Sequence, residues 1–161
     1  MDFEGGLIHC LPRLRRFAFA LSHSGADADD LTQMTVERAL TARRQWRPGT
    51  RLDSWLYRIM RNLWIDTARS RARKSKFEAP PEAADSVGVD PRPGLEASID
   101  LKRVMAAMDR LPDEQREVVA LILIEGFGYR EAAEMLDLPI GTVSSRLVRG
   151  RTALLELVGE R

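Results

Sequence analysis

The sequence predicts an all-α protein of two small helical domains joined by a flexible linker. Two observations carry that expectation. Apolar residues recur at three and four positions along almost the whole chain, and no stretch alternates with the period of two that a half-buried strand requires. The pattern then fails between about Phe77 and Gly94, where Pro80, Pro81, Pro91 and Pro93 stand among few large apolar side chains. Such a composition buries too little surface to offset its ordering entropy. The expected organisation is a domain over residues 1–76, a linker over 77–96 and a second domain over 97–161.

From Leu7 to Ser22, the residues Leu7, Leu11, Leu14, Phe17, Ala18 and Leu21 share one helical face and leave Arg13, Arg15 and Arg16 outside. "SHSGADADD" supplies a glycine and several capping side chains, so the next helix is expected to begin near Asp27 to Asp30. It spaces Leu31, Met34, Thr35, Arg38 and Ala39 helically, with acids in its first turn and Arg43 and Arg44 in its last, matching the helix dipole. "RPGTR" ends it. A third helix resumes with Asp53 or Ser54 as N-cap and Trp55, Leu56, Ile59, Met60, Leu63 and Trp64 as a wide apolar stripe, then runs out as a basic stalk.

Beyond the linker Leu95, Ile99, Val104, Met105, Met108 and Leu111 repeat in a mostly helical pattern. Pro112 opens a further helix with Asp113, Glu114 and Glu117 near its positive end, and Gly126 stops it. "YREAAEML" and "IGTVSSRLVRGRTALLELV" complete the set.

Composition narrows the class. With 44% hydrophobic and 30% charged residues in 161, the chain has the profile of a soluble globular protein. No apolar run approaches the ~20 residues that cross a bilayer, and the opening has acids before its bases, unlike a secretion signal. A cytoplasmic protein with no membrane insertion is expected. Cys10 is the single cysteine, so no internal disulfide forms. His9, His23 and Cys10 are the strong soft-metal ligand candidates, and their spacing fits no zinc pattern. No metal and no cofactor are expected. Carboxylates fall in first turns and in the linker, where capping and solvation explain them, and "EGFGYR" follows a helix instead of a strand, so no phosphate loop or enzyme is indicated.

The net charge of +1 hides a strong segregation. Residues 43–76 hold eleven basic side chains against Asp53 and Asp66, whereas residues 77–100 hold six acids against Arg92 alone. A solvated helix accounts for some of this excess. It is one-sided, however, and interleaved with Trp55, Tyr57 and Trp64, so Arg58, Arg61, Arg69, Arg71, Arg73 and Lys74 can neutralise phosphates while aromatics offer stacking faces to unpaired bases. Trp64 is assigned to the core; Trp55 fits either role.

The last two helices, Tyr129 to Leu136 and Ile140 or Gly141 to Val158, are separated only by "DLP". So short a break carries the second across the first, as in a helix-turn-helix. At ~100° per residue, Val143, Leu147, Gly150 and Leu154 fall in one sector and Thr142, Ser145, Arg146 and Arg149 opposite. An ordinary amphipathic helix would also put arginines in solvent; the preceding short helix and tight turn favour DNA, with Arg149 able to reach a guanine edge.

These residues resemble the extracytoplasmic-function (ECF) sigma factors, promoter-recognition subunits of bacterial RNA polymerase. "ADDLTQMTVERAL" is similar to their core-binding helix in region two, and "RLDSWLYRIMRNLWIDTARSRAR" to the following segment that melts and reads the downstream (minus-10) element. "LPDEQREVVALILIEGFGYREAAEMLDLPIGTVSSRLVRGRTALLEL" is similar to region four, which reads the upstream (minus-35) element. The resemblance implies a three- or four-helix bundle for region two and a helix-turn-helix for region four.

It also implies roles. Asp29, Asp30, Gln33, Thr35 and Glu37 would dock on the clamp helices of the largest catalytic polymerase subunits. The loop from Trp46 to Leu52, with Arg47 and Arg51, and the helix start at Trp55 would form the pocket for a flipped non-template base, with Arg58, Arg61 and Asn62 nearby. Ser144, Ser145, Val148 and Arg149 would face bases, while Tyr129, Thr142, Arg146 and Arg151 would hold the backbone. The helical wheel instead favours Thr142 and Arg146 over Ser144 and Val148 for the outward face. Asp137 stands where the family often has Gly, Gly128 where it often has a Ser or Thr cap, and Ser144 where it often has a basic residue. The resemblance implies partners as well: core RNA polymerase, promoter DNA and an anti-sigma factor that holds the protein inactive until a stress signal. The alternative from another class is a sigma-like decoy that binds an anti-sigma protein without activating transcription; Arg146, Arg149, Arg151 and the basic stalk weigh against it.

Overall fold

The computed structural model describes residues 2–75 and 95–159, which fall in two separate compact units. Every regular element among the described residues is helical. Most of the expected linker, 77–94, lies outside them, while Leu95 and Glu96, assigned to the linker by composition, already belong to a helix.

The first unit is built from α1 (Phe3–Ser22), α2 (Gly25–Thr41), a short 3-10 turn (Arg43–Gln45) and α3 (Leu52–Ser75). α1 starts four residues before the apolar pattern does, because the Asp2 carboxylate accepts the Gly5 N–H at 2.8 Å and caps the helix. His23 closes it in the left-handed conformation at φ 60°. Ser24 is the N-cap of α2, its hydroxyl accepting from the Asp27 N–H at 3.3 Å, so α2 begins before the expected Asp27 to Asp30 and Asp27 sits in its first turn. α3 likewise begins at Leu52, one residue ahead of either expected cap.

Each of these helices packs on the other two. Leu14, Phe17 and Ala18 of α1, Ala28, Leu31 and Ala39 of α2, and Leu56, Tyr57 and Met60 of α3 are the buried centre, with Phe17 and Tyr57 edge to face at 5.0 Å. Trp64 is half-exposed instead of lying in the core. The Arg71 guanidinium lies 5.7 Å from its ring centroid and donates to both Asp27 oxygens at 2.7 and 2.9 Å, which ties the far end of α3 to the start of α2.

The second unit holds α4 (Leu95–Asp109), α5 (Asp113–Val119), a π turn (Ala120–Ile124) that continues α5, α6 (Tyr129–Leu136) and α7 (Ile140–Gly159). The π turn is marked by the Glu125 N–H reaching five residues back to the Ala120 carbonyl at 2.9 Å, and Gly126 at φ 79° ends the run. Met108, Leu111, Val118, Val119, Leu121, Phe127, Ala132, Leu136, Val143 and Leu147 form its core. Arg116 is buried among them at 2% exposure, and donates to the Leu111 carbonyl at 2.8 Å and to Asp113 at 2.5 Å. It thereby satisfies a carbonyl left over at the turn between α4 and α5.

Candidate nucleic-acid interface

The helix-turn-helix is made by backbone geometry. Asp137 ends α6 in the left-handed conformation at φ 54°, the Leu138 N–H bonds back to the Ala133 carbonyl at 3.0 Å, and the Pro139 carbonyl accepts from Thr142 at 3.0 Å to open α7. Gly128 has no side chain to cap α6, and the Glu131 carboxylate accepts its N–H at 3.4 Å instead. α7 then lays Val143, Leu147 and Gly150 on the interior. Gly150 is required there: a Cβ would come 2.7 Å from Val119 Cγ2 and 3.3 Å from Gln115 Cβ, both on α5.

The outward strip of α7 consists of Gly141, Ser145, Val148, Arg149 and Thr152. Val148 is 61% exposed, a large cost for an apolar side chain that faces only water. Thr142 and Arg146 lie half-buried on one flank; Ser144, half-buried, and Arg151, exposed, lie on the other. The helical wheel's preference for Thr142 and Arg146 is therefore corrected. The burial pattern turns the α7 axis so that the edge holding Val148 stands furthest out. Tyr129, 44% exposed, opens α6.

In the first unit the loop 46–52 runs from the 3-10 turn to α3. Arg47, Arg58 and Asn62 are exposed, and Trp55 and Arg61 are half-buried. Arg51 is exposed, but its guanidinium is already committed to Asp53 by two hydrogen bonds of 3.1 and 2.9 Å. Asp53 also accepts from Arg13 at 3.2 Å and from the Ser54 N–H at 2.7 Å. Burial pushes its carboxyl pKa up, yet the bonds from Arg51 and Ser54 and the charges of Arg51 and Arg13 outweigh that and hold it below the usual range. Nearby, burial pushes the Cys10 thiol up, Asp53 adding to the effect against Arg13. A thiol kept protonated in this way is a poor nucleophile.

On α2, Asp29, Asp30, Gln33 and Glu37 are exposed, and Gln33 donates to Glu37 at 3.3 Å. Asp29 accepts from Arg15 Nε at 2.7 Å. Thr35 is the exception and a correction: it has no exposed surface, and its hydroxyl donates to the Leu31 carbonyl one turn back at 2.7 Å. A side chain sealed between helices cannot meet a docking partner. Among the described residues no group of His, Cys, Asp or Glu is disposed to hold a metal ion, and no helix is long and apolar enough to cross a membrane.

A three-helix unit followed by a unit ending in a helix-turn-helix, each with an exposed cationic surface, defines a two-module promoter-binding protein. Residues 7–74 match the model of Sigma-70 region 2, and residues 101–154 match that of Sigma-70 region 4. The ECF RNA polymerase sigma factor EcfG of Rhodopseudomonas palustris is 35% identical over 152 residues, covering 94% of this chain and 82% of that protein. The ECF RNA polymerase sigma factor SigM of Mycobacterium tuberculosis is 35% identical over 147 residues, covering 91% of this chain and 72% of its own length. Among solved structures, the sigma factor RpoE in complex with the anti-sigma factor NepR from Bartonella quintana matches with a TM-score of 0.88 and 34% identity, over 99% of both chains. The chain belongs to the ECF family of RNA polymerase sigma factors.

Proposed function

We propose that this chain directs core RNA polymerase to its promoters by gripping the upstream element with α7 and capturing a flipped base of the downstream element beside the 46–52 loop, without covalent chemistry. The strip of Ser145, Val148 and Arg149 on α7 carries the reading. Short hydroxyls, one apolar side chain and one long guanidinium on a single exposed edge suit a major groove, where Arg reads guanine and an apolar group reads a thymine methyl. Ser144, Thr142, Arg146, Arg151 and Tyr129 flank that strip within reach of phosphates. In the first unit Arg47, Arg58, Arg61 and Asn62 line the approach to Trp55, and the released base costs a few kcal/mol of unstacking that cationic contacts offset.

The exposed Asp29, Asp30, Gln33 and Glu37 on α2 supply the surface for the polymerase clamp helices. Since the Bartonella relative was solved with an anti-sigma factor, a protein of that kind is the proposed inhibitor here, and the site of action is the cytoplasm, on the nucleoid. In vitro transcription with core polymerase over a library of upstream elements tests this. Arg149→Ala is expected to cost about 1–3 kcal/mol at one base position and relax preference there. Equal weakening at all sequences would make Arg149 a phosphate contact and refute base reading.

A further inference from the structure

The 46–52 loop has almost no regular hydrogen bonding of its own. The backbone bond from Thr50 to the Arg47 carbonyl is 3.2 Å, and the Thr50 hydroxyl bonds the same carbonyl at 2.6 Å. Its first residue, Trp46, has a buried indole N–H with no acceptor among the described residues, so that ring is placed by packing. What packs on it is the first turn of α1. The Phe3 ring is 5% exposed, and its centroid lies 5.8 Å from that of Trp46 and 6.1 Å from that of Trp55, so that one side chain joins the two ends of the loop. The Arg43 guanidinium covers Phe3 at 5.0 Å from its centroid. Both Glu4 carboxylate oxygens accept from Arg43, one of them from Nη2 at 3.3 Å. Further along α1, Gly6 approaches so closely that a Cβ would sit 2.8 Å from Leu52 Cδ2, and Arg13 bonds Asp53 at 3.2 Å.

α1 thus touches the loop's entry at Arg43 and Trp46 and its exit at Leu52, Asp53 and Trp55. We propose that the first turn of α1, through Phe3 and Glu4, is a positioning element that sets the separation of Trp46 and Trp55 and so the shape of the base-capturing loop. Neither residue touches the base; both act through the two tryptophans. The inference rests on the loop reading given above. Its physical basis is simple: a loop with few internal bonds keeps one shape only when external packing selects it, and misplacing a binding group by about 1 Å is enough to lose much of its discrimination.

The test uses the full chain assembled with core polymerase, and a fork-junction DNA whose single-stranded non-template positions carry each of the four bases or an abasic site in turn. The readout is the affinity ratio between the preferred base and the abasic site at the most discriminating position. Phe3→Ala is expected to lower that ratio by about tenfold, equivalent to ~1.4 kcal/mol, with affinity for core polymerase and for upstream duplex unchanged. Glu4→Gln keeps the size and exposure of the side chain while removing the charge from the Arg43 fork, and is expected to lower the ratio about threefold, so it decides the matter if Phe3→Ala fails to fold. A wild-type ratio well above one with both folded variants unchanged overturns the positioning role alone. A wild-type ratio of one at every position overturns the loop reading and this inference with it.

Discussion

Replacing Gly150 by alanine isolates the contact on which the recognition helix rests. An alanine inside a helix is ordinarily worth about 1 kcal/mol over glycine. Here the added methyl would lie 2.7 Å from Val119 Cγ2, 3.3 Å from Gln115 Cβ and 3.4 Å from the Gln115 carbonyl. Val119 can yield a little, but Gln115 Cβ and its carbonyl belong to α5 itself, so the two helices must separate. Overpacking of this kind costs about 1–3 kcal/mol, and the crowding by three atoms places it at the upper end. The net is a destabilisation of about 1–2 kcal/mol, or a fall of roughly 5–15 °C in the melting temperature of a unit this size. The assay is built into the sequence, because Trp46, Trp55 and Trp64 all belong to the first unit. Tryptophan fluorescence then follows one unit and far-ultraviolet circular dichroism follows both. Gly150→Ala should shift a component of the dichroism transition and leave the fluorescence transition where it was. A dichroism transition at the wild-type temperature or above it would refute the argument from close approach.

Three further outcomes are expected. Asp27 is held below the usual carboxylate range chiefly by its hydrogen bonds from Arg71, against the effect of burial, and Asp53 is depressed as described. A depressed folded-state pKa contributes stability that is full above the unfolded value of about 3.9 and lost as the pH falls through the folded value. Tryptophan fluorescence should therefore show the first unit weakening below pH ~4, and Asp53→Asn should flatten that dependence. Thr35→Val should leave affinity for core polymerase unchanged, measured by fluorescence anisotropy, because the side chain is internal. Asp137→Gly should stabilise the second unit by up to ~1 kcal/mol in the dichroism melt, since glycine takes the left-handed conformation freely and an acid at a helix C-terminus opposes the dipole.

The helices were legible because their breaks are written in residues with strong local preferences: "RPGTR", Pro112, Gly126 and the "DLP" turn each act on the backbone where they stand. Their starts were less legible. Asp2 and Ser24 begin α1 and α2 before the apolar pattern does, and a cap is a single side chain with no period to betray it. Of the candidate interface, the outward placement of Ser145 and Arg149 followed from angular spacing, whereas Val148 did not, because an apolar residue on a wheel is assigned inward until the neighbouring helices fix the axis. Thr35 and Trp64 exchanged places for the same reason, the small hydroxyl going inside and the indole outside under Arg71. The pairing of Arg71 with Asp27 joins residues 44 apart, and the packing of Phe3 on Trp46 spans a similar stretch of chain. No local pattern encodes contacts that exist only once three helices have met.

The π turn at Ala120–Ile124 has a consequence for the length of the chain at that point. It accommodates one more residue than an α-helical turn would, and the surplus is what brings Phe127, 2% exposed, into the interior beneath α6. Removing a single residue from that stretch would let an ordinary helix continue and swing everything after it by about 100°. Phe127 would then point at solvent and α6 would lose its seat. The spacing between Pro112 and Tyr129 is accordingly fixed to the residue, and even one deletion there should unseat the recognition helix without touching any side chain that meets DNA.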